Sequence, residues 1–254
     1  MSGLSINMTV ESCLIIRKRT TAEIASRGHC AGKRCHGTEH FGSRALDQAL
    51  PELNNPPKTR RGARTVRKLL DAAQEEFGSK GFHEASVAGI TSAAGTAQGT
   101  FYIYFSSKEE LFRTLVFDLG RRLRDFLTEN VDEGTDRLSA EAQGMEAFIR
   151  FVRLYPDLYR IVLEAQFVDP EAFRLYFQDF GAAYRARCEA AAERGEIRVQ
   201  DSDAESWALM GISLFLGLRY GIWEAERDPG PVVASVMDMI AHGLKPRPGE
   251  GGTA

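Results

Sequence analysis

The sequence predicts an all-α chain, and three observations carry that reading. From residue 59 onward apolar side chains recur at helical spacing, polar caps and glycine or proline stops fall at the ends of the periodic runs, and no stretch alternates convincingly as a half-buried strand would. Gly195 to Val199 has local β character but is too short and isolated to build a sheet.

Residues 1–57 lack sustained periodicity and are punctuated by Gly28, Gly32, Gly37, Gly42, Pro51, Pro56 and Pro57, so they are expected to be a poorly ordered extension. Cys30, Cys35, His36 and His40 supply four potential zinc ligands there, but a Cys pair and a His pair are normally separated by about a dozen residues and these adjoin. No metal or cofactor is expected.

The first helix follows. Val66, Leu69, Leu70, Ala73 and Phe77 make one amphipathic stripe, which is expected to stop at Gly78 to Gly81. Ser86 can cap a short second helix with Val87, Ile90 and Ala94 inward, ended by Gly95, which can take the positive φ of a tight turn. Thr96 can cap a third helix, Ala97 to about Tyr104. Ser107 and Glu110 have capping-box spacing and open a fourth through Leu111, Leu115 and Leu119. Further helices are expected at about 141–154, 157–167, 170–194, 202–226 (Ser202 and Glu205 as a second capping box) and 230–243, with 246–254 a flexible tail.

Composition bounds the function. The 254 residues are 43% hydrophobic and 26% charged, the balance of a water-soluble globular protein. The richest apolar stretch, Leu209 to Leu218, is broken by Gly211, Ser213 and Gly217, so no membrane span is expected. Cys13 to Ile16 precede rather than follow Arg17, Lys18 and Arg19, which is not a secretory pattern; a cytoplasmic protein is expected. Net charge is −3, an average over unlike parts: residues 58–120 carry +2 and residues 121–254 carry −7. Lys58, Arg60, Arg61, Arg64, Arg67 and Lys68 precede the first acid of the helical region, Asp71, and form a basic arm suited to phosphates. Neither His83 nor His242 has a nucleophile or carboxylate constellation evident in the sequence, and Cys188 reads as a packed residue, so an enzyme is not expected.

A helix that reads DNA needs a preceding helix to hold it, a small-residue turn, and short or polar side chains at its N-terminal end. Ala93, Ala94 and Gly95 supply the turn. Gln98 can pair with adenine, and Thr100 can meet a thymine methyl or a phosphate. The helix-turn-helix candidates for DNA contact are Arg60, Arg61, Arg64, Ser86, Gln98, Gly99, Thr100, Tyr102, Ile103, Tyr104 and Lys108, the last expected to hold phosphate.

The run Ala94-Gly95-Thr96-Ala97-Gln98-Gly99-Thr100-Phe101-Tyr102-Ile103-Tyr104-Phe105-Ser106-Ser107-Lys108-Glu109-Glu110-Leu111 resembles the recognition-helix block of the TetR family of bacterial transcriptional regulators. Ala72-Ala73, Phe77, Gly81-Phe82, Ser86-Val87 and Ile90 are similar to that family's first two helices, and the likeness spans about residues 60–112. Gly89, Thr91 and Ala97 depart from it. Gly89 is expected to weaken the second helix by about 1 kcal/mol relative to Ala.

The resemblance implies a homeodomain-like three-helix head at 58–118 and a helical regulatory domain at 119–245. The latter would bind a small-molecule effector and form a homodimer through the last two helices, on a pseudo-palindromic double-stranded operator. Trp207, Met210, Gly211, Leu214, Leu218 and Ile222, with Val232, Val236, Met239 and Ile240, offer two apolar faces for that dimer, Gly211, Gly217 and Gly221 permitting close approach. Aromatics crowd residues 148–184, and Phe148, Phe151, Tyr155, Tyr159, Phe177, Phe180 and Tyr184 are the candidate effector contacts. Arg150, Arg153, Glu164, Gln166 and Arg174 are candidates for orienting a polar group. The expected function is a ligand-responsive, dimeric repressor; the alternative is a helical small-molecule-binding or interaction protein that has lost DNA recognition.

Overall fold

The computed structural model describes residues 53, 55–132 and 134–244; the Cys/His group and most of the first 57 residues lie outside them, as does the tail at 246–254. Nine helices, and no strand, are formed among the described residues.

Helix α1 is Arg60–Lys80, capped by Thr59, whose Oγ1 accepts from the Gly62 N–H at 3.1 Å. Its predicted stripe is fully inside: Val66, Leu69, Leu70, Ala73 and Phe77 are all 0–1% exposed. It runs through Gly78 and ends at Gly81, φ 79°. Gly78 therefore does not stop the helix. It makes room for a neighbour, since a Cβ there would lie 2.7 Å from that of Asp157.

Helix α2 is Val87–Ala93, with Ser86 Oγ accepting from the Gly89 N–H at 2.9 Å, and Gly95 takes φ 63° in the turn. Helix α3 is Gln98–Tyr104. Thr96 does not cap it: Ala97 stands at that position, and Thr96 Oγ1 is buried without a hydrogen bond. Helix α4 is Lys108–Asn130, longer than expected. Ser107 Oγ accepts from Glu110 N–H at 3.2 Å, while the Glu110 carboxylate takes the N–H of Ser106 rather than that of Ser107, at 2.7 Å.

Helix α5 is Arg137–Leu154, starting before the expected residue 141 because Asp136 Oδ1 takes the N–H groups of Leu138 and Ser139, both at 3.1 Å. Helix α6, Pro156–Val168, and α7, Pro170–Glu193, each open on a proline whose missing N–H costs nothing at a helix start. Helix α8 is Ser202–Leu216, with Asp201, not Ser202, as its cap. It continues as a π-helical segment, Gly217–Trp223. Gly217 and Gly221 let that segment press on α5, because a Cβ at either would fall 2.5 Å from Phe148 Cε1 or Val152 Cγ1. Helix α9, Pro229–His242, packs Val233, Val236 and Ile240 with Met145 and Ile149 of α5.

The first three helices are joined to the rest by polar ties as well as core. Asp118 on α4 has a fully buried side chain that receives Arg67 of α1 in a two-pronged bond, and Arg121 and Arg122 of its own helix also pair with it. Burial pushes its carboxyl up, but the Arg67 hydrogen bond and the three guanidiniums outweigh that and hold it below the usual carboxylate range. Arg113 of α4 grips Asp169, the α7 cap, at 2.7 and 2.9 Å, and also Glu171 at 2.9 Å. Glu164 of α6 accepts from the Phe82 N–H, between α1 and α2, at 3.0 Å.

Candidate DNA-binding face and effector cavity

Helix α3 is anchored by one face and presents the other. Phe101 and Phe105 are buried at 0% and 1%, whereas Tyr102 and Ile103 are 59% and 55% exposed, on a helix of only seven residues. Gln98 and Gly99 are exposed beside them and Thr100 is half-buried. An added Cβ at Gly99 would meet nothing within 4 Å. Two adjacent large side chains held in water by a well-packed scaffold make this face of α3 a candidate contact surface.

Tyr104 is half-buried, and its hydroxyl abuts the N-terminal turn of α1 where Gly62 leaves space. Asn55 donates its side-chain N–H to the Ile103 carbonyl. The end of α3 is thus tied to the start of α1, where Arg60, Arg61 and Arg64 are exposed. Ser86 is exposed and already serves as the α2 cap.

Two expected cations have other tasks. Lys108 donates its ammonium to the carbonyls of Phe82 and Ala85 at 2.8 and 2.9 Å and lies 4.3 Å above the Phe82 ring. It braces the α1–α2 connection. Arg67, part of the basic arm in sequence, turns inward to Asp118. Gly89 also has a reason: the Glu76 carboxylate, which receives Lys80 at 2.7 Å and approaches Ser86 N–H at 3.5 Å, lies against it. Alanine at 89 would displace that carboxylate, so the expected gain over glycine is offset.

Helices α4 to α8 enclose a cavity of about 370 Å³. Phe148, Phe151, Tyr159, Phe177, Phe180 and Tyr184 line it, joined by Tyr176 and Met210. Tyr155 does not; at the α5–α6 junction its ring lies tilted 5.1 Å from that of Phe151. Tyr159 donates its hydroxyl to the Leu214 carbonyl at 2.7 Å. Burial pushes the phenols of Tyr159, Tyr176 and Tyr184 well above their ordinary values, so all three are neutral donors.

The expected polar orienters are not in the cavity wall. Arg153 donates to the carbonyls of Tyr220 and Arg227, Arg150 to Asn130, Arg174 to Gln178, and Glu164 faces Phe82. Arg137, Glu141 and Arg187 line the cavity instead. An Arg and a Glu at i and i+4 in a first helical turn look like a surface pair in sequence, so nothing local distinguished them.

Part of the expected dimer stripe also turns inward. Met210 and Leu214 line the cavity, Val232 is buried, and Val236 and Ile240 pack on α5. Of the expected stripe on α8 and its extension Trp207 is exposed, at 43%, with open space at Gly211, and two residues outside that expectation, Phe215 at 70% and Trp223 at 57%, are exposed as well.

Comparison with known proteins agrees with this architecture. Residues 69–115 match the family model of bacterial regulatory proteins, tetR family. The chain is 29% identical over 192 residues to the HTH-type transcriptional regulator YdgC of Bacillus subtilis, covering 74% of this chain and 96% of that one. It is 31% identical over 150 residues to the HTH-type transcriptional regulator EthR of Mycolicibacterium smegmatis, covering 54% of this chain and 69% of that one. The chain belongs to the TetR family. As a TetR-family protein it is a helix-turn-helix, DNA-binding transcriptional regulator, and its matches are regulators rather than enzymes. The fold of FadR from Bacillus halodurans, a fatty acid degradation regulator, superposes with a TM-score of 0.63 at 22% identity, covering 72% of this chain and 97% of that one. Among the described residues no helix is long and apolar enough to cross a membrane.

Proposed function

We propose that this TetR-family regulator is a homodimeric, effector-responsive repressor whose head, residues 58–118, reads DNA through α3, and whose residues 119–245 hold the effector and the dimer contact. The exposure of Tyr102 and Ile103 on a rigidly packed α3 carries the DNA reading. Gln98, Gly99 and Thr100 form the base-facing end, the exposed Ser86 joins them in contacting DNA, and Arg60, Arg61 and Arg64 neutralise phosphates at the start of α1, near the Tyr104 anchor. Trp207, Phe215 and Trp223 supply an apolar face for a second copy, with Gly211 allowing close approach. Two-fold pairing then sets two α3 helices on successive major grooves of one operator.

Helix α6 connects the two functions. Leu158, Tyr159 and Val162 line the cavity, while Asp157 lies against Gly78 of α1 and Glu164 holds the Phe82 N–H. A ligand that seats against α6 therefore favours one position of the head over another, and operator and effector affinities are linked reciprocally.

A mobility-shift titration on the DNA upstream of the gene tests this. Wild type is expected to prefer a two-half-site fragment over unrelated DNA, and Gln98→Ala/Tyr102→Ala to lose at least about tenfold, since a good base contact is worth roughly 1–3 kcal/mol. Equal affinity of wild type for all DNA would remove the sequence-specific reading. Equal affinity of variant and wild type would remove the site assignment.

A further inference from the structure

The cavity is polarised along its length. Helices α4 and α7 run side by side in the same direction, with Arg113 on Asp169 near one end and Arg124 on Asp179 farther along. The end nearer α1 is apolar and closed by Leu119, Leu158, Val162 and Tyr176, none more than 8% exposed. At the far end, where α4 and α7 finish and α5 begins, Thr128, Asp132, Arg187 and Arg194 line the cavity and are exposed, so that end is the mouth.

Between them stands Arg137, 9% exposed. Its Nη2 donates to Glu141 at 2.7 Å and approaches Cys188 Sγ at 3.8 Å, but its buried Nε–H has no acceptor. Glu141 is already served on both oxygens, by Arg137 and by the Tyr184 hydroxyl at 3.3 Å. The station is thus short of an acceptor and not of a donor, a deficit that a ligand oxygen would remove. Arg187, whose guanidinium lies 5.5 Å above the Tyr184 ring, adds positive charge on the mouth side.

We infer that the effector is a single-chain amphiphile seated tail first, its apolar chain against α6 and its oxygen-bearing head accepting a hydrogen bond from Arg137. This rests on the reading of the cavity as the effector site. Arg137 is then the residue that selects the head group, and the apolar end by α6 the part that senses chain length.

Isothermal titration of the full-length protein with decanoate and with decyltrimethylammonium, both below micelle formation, separates head recognition from burial of an equal chain. Decanoate is expected to bind at least about tenfold more tightly, the scale of one hydrogen bond to a charged group. The pair replacement Arg137→Met/Glu141→Met leaves no orphan charge and is expected to abolish the preference while keeping the helical circular dichroism. Val162→Ala, at the inner end, is expected to favour dodecanoate over decanoate by about threefold or more relative to wild type, roughly one buried methylene. Equal binding of the two heads by wild type, or an unchanged chain-length ratio in Val162→Ala, overturns the proposal and leaves the cavity as an effector site. Absence of binding by every probe overturns both.

Discussion

Replacing Asp118 with alanine should be among the most damaging single changes in the joint between α1 and α4. The wild-type carboxylate is fully buried and receives Arg67, whose own side chain is 11% exposed, together with Arg121 and Arg122 at 21% and 20%. Removing it leaves three guanidiniums with one remaining carboxylate, the half-exposed Asp71, which pairs with Arg67 at 3.3 Å and Arg122 at 3.0 Å. Arg67 cannot escape to water without leaving the packed face of α1 that also carries Leu70 and Val66. Breaking a buried pair by deleting one partner costs about 3–5 kcal/mol, which for a protein of this size lowers the melting temperature by roughly 6–20 °C.

The measurement is urea or thermal unfolding followed by circular dichroism at one fixed protein concentration, since assembly would otherwise shift the midpoint. The pH dependence has a definite sign. Asp118 is held below its ordinary value in the folded protein, so its stabilisation is complete above about pH 4 and is lost as the pH falls through the folded value. The gap between wild type and Asp118→Ala should therefore stay constant from pH 8 to pH 5 and narrow only in stronger acid. A loss under about 1 kcal/mol at neutral pH, or a gap that widens on acidification, would refute the reasoning.

Three further variants have outcomes set by the structure. Lys108→Met removes two bonds to backbone carbonyls and should cost stability, about 1–3 kcal/mol in unfolding experiments, with no change in the salt dependence of DNA binding; Arg64→Ala should do the reverse, leaving stability near wild type and reducing the slope of log affinity against log salt by about one. Gly217→Ala places a methyl 2.5 Å from Phe148 Cε1; overpacking of this kind costs about 1–3 kcal/mol, and because Phe148 lines the cavity, decanoate affinity measured by titration should change with it.

The positions of most helices were legible because their signals are local. Ser86, Ser107, Pro156 and Pro170 each satisfy or avoid a backbone N–H within a few residues of themselves, and Gly95, Gly195 and Gly243 adopt positive φ where helices end. The misplaced starts have the same origin. At α5 and α8 a polar residue just upstream, Asp136 or Asp201, had the better geometry, and Thr96 was a plausible cap that the packed turn between α2 and α3 turned inward. The outward face of α3 was legible too, since Phe101 and Phe105 could only be the inward one. Most of the aromatic cavity wall followed from density alone, but Tyr155 was separated from it by the bend at Pro156, and Arg137 and Glu141 were invisible among many similar charged pairs.

By itself, then, the sequence determined an all-helical chain with a helix-turn-helix head and the face of α3 that stays outside the core, because caps, stops and periodicity act within one helix or one turn. Tertiary structure decided the direction of each ambiguous side chain. Lys108 braces carbonyls 23 and 26 residues away, Arg67 meets a carboxylate 51 residues away, and Met210 and Leu214 face a cavity rather than a second copy. A helical stripe states only that one side is apolar. Whether that side finds its own chain, a ligand or a partner depends on what distant segments bring against it, and no local period encodes that.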